Sequence, residues 1–410
     1  MKTEMIDGIF TLSMDMVATL AIAILLLLLG YSLRKKISFF EKFCIPAPVI
    51  GGLLFAVLAL VLKQGNIVTI KMETTFQSPF MIAFFTTVGL GASFGLVKKG
   101  GLPLIIYWLL CGFLAVSQNV IGVAFAKLTG IHPLLGIMAG AVSMEGGHGA
   151  AAAFGPTVEA LGVQGATTVA VAAATFGLIS GGLIGGPIAR YLIDKHQLKP
   201  DTADMENIET FEQIAGTLET SKITSHSMMI HMAVITVCMT IGAMAAGWFA
   251  KVTGQVLPGY VGAMFVAVLF RNLNDRIHLV HLDQYTIDLI GNVSLGIFLS
   301  MALMTLKLWE LLGLAIPMFV ILVAQVAFMI LFTIFICFRL LGKNFDAAIM
   351  SAGMAGHGLG ATPNAIANMG AVTEKYGPSP RAFMIVPLVG AFLIDLIALP
   401  NIVWFINLLK

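Results

Sequence analysis

The sequence predicts an all-α membrane protein made of two related halves of opposite orientation, and three observations predict it. Apolar stretches long enough to cross a bilayer recur from Val17 to the end of the chain, a polar segment near the middle divides them into two sets, and motifs recur across that segment at a nearly constant offset. The composition agrees. Of 410 residues, 58% are hydrophobic and 11% charged, against about 25% charged in an average soluble domain, and the mean hydropathy is +0.96.

Crossing an apolar layer about 30 Å thick takes roughly 20 mostly apolar residues. Segments of that kind, bounded by charges or by Gly and Pro, place spans near 17–33, 46–62, 80–97, 102–126 and 167–192, and again near 228–250, 257–270, 286–306, 311–338 and 382–408. No basic leader or small-residue cleavage site precedes the first run, so it is expected to stay as a span. The first set fills a half at 1–193 and the second a half at 228–410. The polar segment between them, 194–227, is too poor in large apolar groups to bury a core and reads as a cytoplasmic linker.

GHG recurs at Gly147 to Gly149 and Gly356 to Gly358, while Pro46, Pro103, Gly177 and Pro187 match Pro258, Pro317, Gly390 and Pro400. Ordered matches at one spacing mark an internal repeat. Placing the N-terminus outside puts 16 of the 23 Lys and Arg on the cytoplasmic side and leaves Lys2, Lys63, Lys71, Lys127, Lys251, Lys307 and Lys410 outside. Both termini then face out, and five spans per half invert the second half. Inverted repeats of this kind build secondary transporters, with the site near the midplane.

Between the fourth and fifth span of each set lies a segment of another kind, at about 133–158 and 345–370. The first reads SMEGGHGAAAAF after an apolar run, the second SAGMAGHGLGATPNAIANM. Each glycine weakens a helix by about 1 kcal/mol, and a break at membrane depth survives only where it is buried in protein or lines a cavity. Both segments are therefore expected to be re-entrant hairpins whose tips reach the middle of the membrane. Thr362 and Pro363 suit the cap and first turn of a returning half-helix, whose free N–H groups and positive dipole end would favour a carboxylate. Unwound carbonyls suit a dehydrated cation.

The substrate is accordingly expected at Gly146, Gly147, His148, Gly149, Gly358, Gly360, Thr362, Pro363 and Asn364. Sodium is expected at Ser143, Glu145, Asn292, Ser294 and Asp395. Asp395 stands out because an intramembrane carboxylate usually faces a cavity or a partner. Gln118, Asn119, Gln325 and Asn368 read as polar contacts between helices, and His357 as a tip side chain wetted by the cavity. The four cysteines lack CxxC spacing and read as small apolar fillers. A net charge of +2 without a basic patch gives no support to nucleic-acid binding. HExxH, a nucleophile paired with a base, and a channel-like filter are all missing, so neither an enzyme nor a channel is expected, and no metal beyond sodium.

The stretches IPAPVIGGLL (Ile45 to Leu54), GGHGAAAA (Gly146 to Ala153), ATFGLISGGLIGGPIARYL (Ala174 to Leu192), GNVSLGIFLSMALMTLKLWEL (Gly291 to Leu311) and GLGATPNAIANM (Gly358 to Met369) resemble the bacterial glutamate:sodium symporter family. The resemblance implies two inverted five-span domains with re-entrant loops, assembled as a homodimer in the inner membrane. It also implies an elevator-like shift of a core domain and sodium-coupled import of L-glutamate by alternating access, with sodium as coupling ion and no other cofactor. The first tip departs from the family pattern SGGHGTG, with Glu145 where that pattern has serine. The residues leave open another small carboxylate, or a proton-coupled cycle through Glu145, His148 or Asp395.

Overall fold

The computed structural model describes residues 2–6, 9–200, 224–311 and 313–410, so residues 201–223 of the expected linker lie outside the described residues. The first half opens with strands β1 (Lys2–Ile6) and β2 (Ile9–Met14), then helices α1 (Met16–Lys36), α2 (Ser38–Lys42) and α3 (Ala47–Gln64). Strand β3 (Val68–Met72) follows, then α4 (Gln77–Gly91), α5 (Phe94–Leu128), the short α6 (Pro133–Met138) and α7 (Ala141–Met144), α8 (Gly147–Glu159) and α9 (Ala166–His196). The second half has α10 (Ser225–Thr253), α11 (Gly259–Ile277), α12 (Gln284–Met304), α13 (Ala315–Leu340), α14 (Phe345–His357), α15 (Thr362–Tyr376) and α16 (Pro380–Leu409).

The fold is predominantly helical but not all-α. A small sheet of order β1-β2-β3 pairs β1 with β2 antiparallel and β2 with β3 parallel. The run Val68–Met72 alternates β-branched and polar residues and has too few apolar positions to extend α3, and it pairs with a segment more than fifty residues away.

Among the described residues, eight helices are long and apolar enough to cross a membrane. The expected spans at 80–97 and 257–270 are not among them. Helix α4 stops at Gly91 after 15 residues, about 22 Å at about 1.5 Å per residue, because Ala92 leaves the helical region and Ser93 caps α5 by accepting from the Gly95 N–H. Helix α11 has the length, but its last turns read RNLNDRI.

The helices form two groups, each drawn from both halves of the chain. In one, α3 lies against α1 and α12, α11 against α10 and α4, and α4 against α12. In the other, α5 touches α6, α13 and α16, while α9 touches α8, α13, α14 and α15. Pro46 and Pro258 begin α3 and α11 with the same backbone, φ −62° and ψ 140° against φ −61° and ψ 142°. One aromatic contact crosses between the groups: Phe154 of α8 meets Tyr260 of α11 edge-on at 5.4 Å, and Phe85 of α4 stacks on the same Tyr260 ring at 4.9 Å from within the first group.

Small residues let the α-helices approach backbone to backbone, which is how helices associate where lipid removes the hydrophobic drive. At Gly136 an added Cβ would stand 2.2 Å from the Gly122 carbonyl oxygen, so α5 and α6 touch through two glycines. Gly136→Ala is expected to lower the thermal unfolding midpoint in detergent, since overpacking costs about 1–3 kcal/mol and outweighs the helix-propensity gain of about 1 kcal/mol. Gly247→Ala on α10, where a Cβ meets open space, is expected to leave the midpoint unchanged or raise it.

Candidate functional site

Both glycine-rich segments are broken helices. The first breaks twice, at Ala139 and Gly140 between α6 and α7 and at Glu145 and Gly146 between α7 and α8, and the second breaks once, from Gly358 to Ala361. Gly147 adopts φ +59°, a conformation that costs other residues roughly 1–2 kcal/mol, and it turns the chain into α8. The two tips meet. A Cβ on Gly147 would lie 2.8 Å from the carbonyl oxygen of Gly360, so the first amides of α8 and the residues preceding α15 share one place. Gly147, His148, Gly358 and Gly360 are buried, while Gly146 and Gly149 are half-buried.

Helix α5 services both breaks with adjacent residues. Gln118 donates through Nε2 to the Gly358 carbonyl at 2.6 Å, and Asn119 accepts through Oδ1 from the Ala141 N–H at 3.1 Å. Asn119 also donates to Asn401 of α16 at 2.8 Å, and Gln325 of α13 donates to the Gln118 main-chain carbonyl at 2.8 Å. These side chains join elements that a simple pairing of spans would not connect. Sequence reasoning read them as contacts between helices and missed that they hold the tips.

The other expected residues sort as follows. His148 Nε2 lies 3.0 Å from Thr175 Oγ1, and because the Thr175 hydroxyl donates to the Val171 carbonyl at 2.9 Å, the imidazole is the donor there. Asn364 donates to the Leu178 carbonyl at 2.6 Å and Asn368 to that of Gly181 at 2.9 Å, so one face of α15 grips α9. Thr362 does not cap α15. Ala361 holds the cap position, and the Thr362 hydroxyl donates instead to the Gly390 carbonyl of α16 at 2.8 Å, because the tip packs too tightly on α16 for the side chain to fold back. Pro363 is exposed. Ser143 Oγ is bonded to the Met138 carbonyl and lies 2.8 Å from that of Ala170, so three oxygens converge at the first break. Ser294 is buried on α12, Asn292 is exposed on the same helix, and Asp395 sits half-buried on α16.

Glu145 is buried, and neither carboxylate oxygen has a hydrogen-bond partner among the described residues. His357, read as a wetted tip side chain, is instead 2% exposed and faces Tyr107, whose hydroxyl is 3.4 Å from Nδ1. A cavity of about 660 Å³, lined among others by Lys63, Lys71, Glu159, Thr168, Lys307 and Trp309, opens near the start of α9. Another, of about 780 Å³, opens near its end at Gly186, Arg190 and Lys375. Thr168 and Gly186 are 18 positions apart, about 27 Å along the helix. Gln118→Leu is expected to destabilise the protein by about 1–3 kcal/mol by leaving the Gly358 carbonyl buried without a donor, read as a lower unfolding midpoint. A midpoint equal to that of the parent would remove Gln118 from this role.

Residues 12–378 match the sequence family described as Sodium/glutamate symporter. The chain is 45% identical over 382 residues to a sodium/glutamate symporter of Haemophilus influenzae, covering 92% of this chain and 94% of that one. It is 45% identical over 388 residues to a sodium/glutamate symporter of Escherichia coli, covering 94% and 95%. A solved structure of a sodium proton antiporter from Methanocaldococcus jannaschii aligns over 97% of this chain and 98% of its own at 14% identity, with a TM-score of 0.44. On the family match and the two relatives together, the chain belongs to the sodium/glutamate symporter family.

Proposed function

We propose that the protein imports L-glutamate together with sodium by alternating access, and the observation that carries this reading is the meeting of the tips at Gly147 and Gly360. A carboxylate placed there has the first amides of α8 and the N-terminus of α15 beside it, both at the positive ends of helix dipoles. Gly146, Gly147, His148, Gly149, Gly358, Gly360, Thr362, Pro363 and Asn364 take the substrate. The oxygens of Ser143, Met138 and Ala170 suit sodium, which prefers hard oxygen ligands, and Glu145, Asn292, Ser294 and Asp395 complete the cation side.

In this reading the two halves are inverted repeats, and the broken segments are re-entrant hairpins that enter from opposite faces. The group built from α1, α3, α4, α10, α11 and α12 is the scaffold, and the group holding both tips is the moving core. Phe85, Phe154 and Tyr260 form the seam along which the core slides. The protein works as a homodimer in the bacterial inner membrane with both termini facing the periplasm. The cavity lined by Lys63, Lys71 and Lys307 is then the outer vestibule, where positive charge draws an anionic substrate inward. The cavity at Arg190 and Lys375 is its cytoplasmic counterpart.

Proteoliposomes are expected to accumulate labelled glutamate under an inward sodium gradient and to stop when the gradient is collapsed, with uptake indifferent to sodium overturning the reading. Aspartate, glutamine, citrate and α-ketoglutarate as competitors identify the substrate class, and only close analogues of glutamate are expected to compete. Gly147→Ala is expected to abolish uptake while the protein still elutes as a folded species, because its Cβ meets the Gly360 carbonyl and its φ is unsuited to alanine.

A further inference from the structure

Beside the tips lies a second cluster that shares Glu145 with the cation side of the transport site and otherwise uses residues assigned to neither sodium nor glutamate. Cys111 of α5, Glu145 of the first tip and His357 of the second present Sγ, a carboxylate oxygen and a ring nitrogen, all within 4.8 Å of one another. The three residues are 1%, 6% and 2% exposed. Both oxygens of Glu145 and Nε2 of His357 lack a hydrogen-bond partner among the described residues. Met354, one turn before His357 on α14, lies with Sδ 3.9 Å from Cys111 Sγ, and Tyr107 sits on the other ring nitrogen of His357.

We propose that Cys111, Glu145 and His357, with Met354 alongside, form a site for a thiophilic divalent cation of the zinc class, and that the bound ion arrests the carrier by tying both tips to α5. The donor set is soft, and thiolate, thioether and imidazole favour such an ion over sodium, which would find only carboxylate oxygen there. Tetrahedral zinc bonds of about 2.0–2.3 Å set two ligand atoms roughly 3.5 Å apart, so the side chains have to turn inward to close the shell. The charges balance as well. One thiolate and one carboxylate neutralise a divalent ion, which leaves no net charge in a region where an uncompensated one is costly. Tyr107 Oη lies 3.4 Å from Nδ1 of His357, and by accepting from Nδ1–H it would favour the tautomer that leaves Nε2 free to ligate.

The ligands come from α5, the first tip and the second tip, which is why occupancy locks them. Binding itself is independent of the transport reading, whereas the arrest rests on it, so the test separates the two. Full-length protein in nanodiscs is titrated with cobalt(II) as a spectroscopic probe, and zinc binding is measured by equilibrium dialysis. One ion per chain and a thiolate-to-cobalt charge-transfer band are expected. Cys111→Ser is expected to abolish the band while sparing sodium-driven uptake, and Tyr107→Phe to weaken zinc binding roughly 10- to 100-fold. Zinc is expected to inhibit uptake by the parent and not by Cys111→Ser. A parent protein without the band, or equal zinc binding by parent and Cys111→Ser, overturns the site. Binding with undiminished uptake overturns the lock. If glutamate uptake is absent altogether, the transport reading fails while the band still decides the site.

Discussion

Everything in this structure depends on one constraint, that a helix broken inside lipid must find partners for its freed backbone groups within the protein. The break in the second segment and the first break in the first segment do. The Gly358 carbonyl is taken by Gln118 and the Ala141 amide by Asn119, and Gln325 and Asn401 in turn hold those two residues. Neighbouring positions of α5 therefore secure hairpins that lie more than 200 residues apart, and the two tips share a single anchor.

That anchor explains why the halves interleave. Had each hairpin been serviced by its own half, the chain could have formed two bundles joined by a linker. Instead α9 is gripped by Asn364 and Asn368 of the second half, and α5 lies against α13 and α16. The helices left over, with no break to support, pack through small residues into the other group.

Lys63, Lys71 and Lys307 line one cavity and Arg190, Lys195 and Lys375 the other, while Glu145, His148 and His357 are buried at the tips. Glu145, Asp395, His148 and His357 bring titratable chemistry to a place where glycine backbone already supplies donors and acceptors. The serine of the family pattern would be self-sufficient at position 145, whereas an acid there has to be compensated by what surrounds it.

Much of this was legible in the residues alone. Apolar length marked eight of the ten expected spans and glycine density marked the breaks to within a few residues, because composition and helical length are local properties. Where local signals competed, the reading went astray: Gly91 and Ser93 end α4 early, 68–72 joins a sheet, and Thr362 gives its hydroxyl to Gly390 rather than to its own helix. What only the tertiary structure decided is proximity. That Gly147 touches Gly360, that Gln118 reaches Gly358 and that Glu145 lies beside Cys111 and His357 follows from packing helices more than thirty, and often more than two hundred, residues apart, and spacing along a chain carries no record of such distances.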